Sequence, residues 1–145
     1  MPKTFWFWLG IIFTLISATL VGVLGTPSAK VFINSHPVPV EVVDTFEERG
    51  RGLSGRSSLP RPHGMLFVFE EYGLHPFWMK EMLFPLDIAW LNDSEVVHIE
   101  HSVSPDTFPR SFSSSAPAKY VLEVNAGQLK AWGVEVGDRV ELVGI

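Results

Sequence analysis

Between Phe77 and Leu91 the chain reads FWMKEMLFPLDIAWL, and only Lys80, Glu81 and Asp87 in that run are ionisable. An unpaired ion among apolar neighbours costs several kcal/mol or more, so each charge must reach water or a partner. In an extended chain Trp78 and Lys80 share one face, with Met79 and Glu81 on the other. Asp87, between Leu86 and Ile88, has Ala89 and Leu91 on its own face. That face is not plain solvent. Two arrangements satisfy the chemistry. In one, Trp78 walls a partly buried pocket in which Lys80 and Asp87 orient a ligand. In the other, Asp87 joins an internal ion pair or fastens turn amides, and no ligand is involved. An enzyme built on the same residues would use Asp87 or Glu81 as general acid or base beside Lys80, in a hydrolase-type reaction.

Other side chains offer less. Arg49, Arg51 and Arg56 carry guanidinium forks that match carboxylates and phosphates, and Arg56 is the best candidate for an anion contact. The same arginine serves equally well as a loop fastener, or as an internal partner for Asp87 or Glu123. His98, Glu100 and His101 are suitable metal ligands by type. Three residues apart on a strand, however, the two imidazoles point to opposite faces, and we assign no metal. Gly52-Leu53-Ser54-Gly55-Arg56 lacks the final glycine of a nucleophile elbow. There is no phosphate loop or dinucleotide fingerprint, and no cofactor is expected.

Short, frequent strands must hold these residues in place. Val31–Ile33 and Val38–Val43 flank a polar turn and predict a hairpin. Met65–Phe69 is a continuous apolar run that suits a strand buried on both faces. Leu86–Leu91 and Glu95–Glu100 flank Asn92-Asp93-Ser94, a second hairpin. Tyr120–Val124 and Arg139–Val143 alternate as strands do. Thr45 is placed to cap a short helix reaching Arg51, with Glu47 and Glu48 in its first turn. Asn125 is placed to cap a second, from Ala126 to Trp132, stopped by Gly133. Ser102–Pro117, rich in serine and proline, predicts a long surface loop. These elements imply a mainly β fold, a compact single-domain sandwich or barrel with one or two short helices.

Ahead of that domain, Phe5 to Gly25 carries neither charge nor proline and is apolar on every face. As a helix it would span roughly 30 Å, the hydrocarbon thickness of a bilayer. We expect residues 1–25 to be a single-pass signal-anchor, 26–30 a short linker and 31–145 the domain. Lys3 and the free amino group favour a cytoplasmic N-terminus, which places the domain outside the cytoplasm. Cleavage as a signal peptide would secrete it instead. The composition narrows the function further. With 145 residues there is room for one domain, and 46% hydrophobic against 19% charged residues excludes a disordered chain. A net charge of -5 removes the footprint of a nucleic-acid binder. The absence of cysteine excludes disulfides, thiol catalysis and cysteine-ligated zinc.

Five stretches together resemble the DUF192 family: Gly52-Leu53 with Arg56 and Leu59; Gly64–Phe69; Phe77-Trp78-Met79-Lys80; Pro85–Ile88; and Tyr120–Gly127. Gly133, Gly137 and Asp138 continue the match. The resemblance implies a compact, mainly β domain and supplies no established activity, substrate or catalytic set. Family members usually read Trp-Met-Lys-Asn-Thr, whereas Glu81 and Met82 follow Lys80 here; the usual methionine after Gly-Leu is Ser54. We therefore expect a membrane-tethered, extracytoplasmic domain binding a small polar ligand, an envelope glycan or a partner protein through Trp78, Lys80, Asp87 and Arg56. The alternatives are the hydrolase-type enzyme above and an interaction module without a ligand pocket.

Overall fold

The computed structural model describes residues 29–145, so the expected membrane segment lies outside the described residues. The first hairpin forms as expected: β1 (Lys30–Ile33) and β2 (His36–Val43) pair antiparallel. Its two-residue turn holds Asn34 and Ser35 at positive φ, the geometry that matches the twist of paired strands. Next comes α1 (Phe46–Arg51), capped by Thr45 in a full capping box with Glu48. This crossover lets β3 (Gly64–Gly73) lie parallel to β2. Then follow β4 (Phe77–Trp78), β5 (Leu86–Leu91), β6 (Val96–Val103), β7 (Ser111–Phe112), β8 (Ala118–Asn125), α2 (Gln128–Ala131) and β9 (Val140–Val143).

Seven strands form one sheet in the order β6-β5-β8-β3-β2-β1-β9. Its edges meet at one end. Glu95 bridges Arg139, the Val96 amide donates to the Asp138 carbonyl at 2.9 Å, and the Gly137 amide donates to the Val96 carbonyl at 2.8 Å. The sheet is thus a curled half-barrel, and all seven strands feed one interior cluster that includes Val31, Val38, Leu66, Ala89, Val96, Leu122 and Val140. Leu129 of α2 plugs it. A second cluster covers the outer face of the central strands and contains Met65, Phe67, Ile88, Trp90 and Val121. Strands β3, β5 and β8 are therefore buried on both sides, which the continuous apolar runs require.

Two local expectations change. The loop from Ser102 to Pro117 contains β7, which pairs with β4 as a two-stranded ribbon over the outer cluster. Strands of two residues carry no periodicity for a sequence pattern to reveal. The second helix starts later than Asn125 predicts. Gly127, left-handed at φ 79°, precedes it, while the Asn125 amide instead donates to the Leu59 carbonyl at 2.8 Å.

Candidate functional site

The sheet itself separates the residues expected to share a pocket. Asp87 pairs with Val124 on the inward face, out of phase with Leu86, Ile88 and Trp90. It has no exposed surface. Its carboxylate accepts the amides of Ser102 at 2.8 Å, Gly127 at 3.0 Å and Leu129 at 3.0 Å. It therefore supplies the acceptors that α2's first amides need, from a strand 40 residues earlier. His101 Nδ1 lies 4.0 Å away. Of the two arrangements open to Asp87, this is the one that fastens turn amides. Arg56 forms a bidentate pair with Glu41, both bonds 2.8 Å, with both groups well exposed. The pairing holds the Glu41 carboxyl below its ordinary range and raises the guanidinium. An exposed pair of this kind contributes about 0–1 kcal/mol.

Lys80 and Glu81 lie exposed in the turn after β4. Their backbone is the useful part: the Lys80 carbonyl accepts the Ser54 hydroxyl at 2.9 Å, and the Glu81 carbonyl accepts the Gly55 amide at 2.9 Å. These bonds tie the loop after α1 to the turn after β4. Beneath the tied segments the outer face opens into a cavity of about 310 Å³, near the lower limit for small-molecule sites. Phe67 and Phe69 of β3 form one wall, and Phe77 and Trp78 of β4 another. Phe77 meets Phe67 edge-on, with centroids 4.8 Å apart, and Phe69 more loosely at 6.4 Å. Trp78 is 52% exposed and stands at the mouth, as does Phe46. Arg49 and Arg51 complete the rim. The Arg49 guanidinium is held by the Asp44 and Val68 carbonyls and lies 5.0 Å from the Phe69 centroid. Of the predicted group, Trp78 alone lines this cavity; Lys80, Asp87 and Arg56 do not.

The remaining polar wall is Glu123. On β8 it stands opposite Met65 of β3 and Ile88 of β5, so it faces the outer cluster. It is 5% exposed and makes no ion pair or hydrogen bond among the described residues, yet its carboxyl is not sealed off. Burial alone pushes it up to about 8. At neutral pH the protein therefore presents an uncharged carboxylic acid inside an aromatic cavity. A close backbone approach supports this floor: a Cβ at Gly64 would lie 2.9 Å from the Glu123 carbonyl oxygen. The sequence offers Glu123 only as an internal partner for Arg56, which pairs with Glu41 instead and does not line the cavity. The available signal was that Leu122 and Val124 are apolar while Val121, on the acid's own face, is apolar too.

The DUF192 model, an uncharacterized ACR by description, matches residues 29–142. The chain belongs to the DUF192 family. Among relatives of this DUF192 protein, a UPF0127 protein of Pyrococcus furiosus is 31% identical over 109 residues, 72% of this chain and 86% of its own length. A crystal structure from Sinorhizobium meliloti, described as a candidate transcription regulator, superposes with a TM-score of 0.73 at 34% identity, covering 81% of this chain and 93% of that one. A Novosphingobium aromaticivorans protein of unknown function gives 0.72 at 30% identity, covering 78% and 82%.

The stretches that carry the DUF192 resemblance converge in space. Gly52-Leu53, Phe67 with Phe69, Phe77-Trp78 and Glu123 all line the cavity, and Pro85–Ile88 contributes Asp87, which secures α2. Gly52, at φ 48°, leaves little room for a side chain, since a Cβ there would lie 3.1 Å from the Phe67 ring. The family's asparagine at position 81 also has a physical account. Glu81 sits at φ 57°, a left-handed conformation that asparagine tolerates better than glutamate does.

Proposed function

We propose that this protein is a membrane-tethered, extracytoplasmic binding domain that takes one small ligand into the cavity between the post-α1 loop and β4. Tethering follows from the uncharged run Phe5–Gly25, and the orientation from Lys3. One observation carries the binding role: a nine-tenths buried carboxyl with no partner among the described residues faces an aromatic cavity. Holding a carboxyl in apolar surroundings costs free energy, and titratable groups shifted by burial inside a cleft mark candidate ligand sites. Trp78 at the mouth supplies a flat apolar surface with an N–H at its edge. In this role Asp87 builds the scaffold, and the Lys80–Glu81 turn holds the roof.

Fragment titration followed by NMR tests it. A library of small aromatic compounds should shift the Trp78 indole N–H and the Glu123 amide together, and Trp78→Ala should weaken the Glu123 shift. Fragments that leave both signals still would overturn the proposal. For tethering, full-length protein should sediment with membranes and be cleaved only by protease added from outside the cytoplasm.

A further inference from the structure

The geometry points to an organic cation as the ligand class: an alkyl- or arylalkylammonium whose charged head lies against the Glu123 carboxyl and whose body fills the aromatic cavity. This rests on the cavity being the ligand site. The floor gives the first reason. Among the described residues no group donates to the Glu123 carboxyl, so once ionised it takes a ligand that brings positive charge or hydrogen-bond donors. The walls give the second. Phe67, Phe69, Phe77 and Trp78 surround the space, and aromatic faces attract ammonium groups. Phe69 already does so toward Arg49, whose guanidinium lies 5.0 Å from its centroid.

The groups facing Glu123 leave its charge unanswered. Its neighbours on β3 and β5 are Met65 and Ile88, and β4 offers Phe77 and Trp78. From α1 and its loop come Arg49, engaged with two carbonyls, and Arg51; neither pairs with Glu123. At the ionised Glu123 floor a carboxylate or phosphate ligand would meet a like charge, whatever the rim arginines Arg49 and Arg51 offer it. A cation meets its complement.

Binding then carries a proton balance. The free protein holds Glu123 protonated, with a midpoint of about 8. Seating a permanently charged ammonium ionises the carboxyl and releases that proton to solvent, with no covalent bond made to the ligand. Affinity should follow the ionised fraction of Glu123, so it should be about 90-fold tighter at pH 9 than at pH 6.

The test titrates full-length protein with benzyltrimethylammonium, its neutral isostere neopentylbenzene, and phenylacetate, from pH 6 to pH 9, reading the Trp78 and Glu123 signals. The cation should bind tightest, with that pH slope, and Glu123→Gln should weaken it and flatten the slope. Trp78→Ala should also weaken it, without altering the slope. Equal or tighter binding of neopentylbenzene or phenylacetate, or a slope absent from the wild type, would overturn the cation and leave the cavity as the site. No response to any of the three would overturn both.

Discussion

Replacing Glu123 by glutamine should make the protein more stable in neutral and mildly alkaline solution, and the gain should grow with pH. The folded protein holds the carboxyl proton to about pH 8, whereas an exposed carboxyl releases it near 4.5. Between those values the folded state binds the extra proton, so the contribution of Glu123 is fully present below 4.5 and is lost as pH rises toward 8. Each pH unit in that window is worth about 1.4 kcal/mol. From pH 5 to pH 8 the wild type should therefore lose about 3–4 kcal/mol that Glu123→Gln keeps. Glutamine nearly conserves shape and cannot ionise, so it removes the slope while filling the same space. Urea unfolding of both proteins at half-unit pH steps, followed by tryptophan fluorescence, measures the difference directly. Parallel pH profiles would refute the reasoning, because they would mean that the folded carboxyl titrates like an exposed one.

Asp87→Ala strips an acceptor from three buried amides and should cost about 3–5 kcal/mol in thermal unfolding, with Asp87→Asn recovering part of it. Gly64→Ala would press a methyl group onto the Glu123 carbonyl oxygen and the Leu122 side chain, and should cost about 1–3 kcal/mol by the same measurement. Glu81→Asn should stabilise by about 1 kcal/mol in urea unfolding, because asparagine relieves the left-handed backbone there.

What was legible in the chain depended on how far apart the cooperating residues lie. The Thr45–Glu48 capping box is local, and helix α1 was expected on the correct residues. The two hairpins announced themselves through alternation and polar turns, and both formed. Asp87 was readable as constrained, since apolar neighbours surround it in sequence. Its partners were not, because the Gly127 and Leu129 amides arrive only when α2 folds back across the half-barrel. The same limit hid the pocket. Lys80 follows Trp78 at strand spacing, but the chain leaves β4 after Trp78 and turns, so Lys80 moves into solvent while Trp78 stays at the cavity mouth. Glu123 looked like the polar half of an alternating strand. Val121 on the same face hinted otherwise, and the sheet order, with β8 between β5 and β3, shows that both faces of the strand are covered.

The most direct measurement is a carbon-13 NMR titration of the Glu123 side-chain carboxyl in the protein, alone and with saturating benzyltrimethylammonium. We predict a midpoint of about 8 in the free protein, falling by about three units when the cation is bound, as the roughly 90-fold affinity slope requires. A free-protein midpoint in the ordinary carboxylate range, unmoved by the cation, would contradict the account.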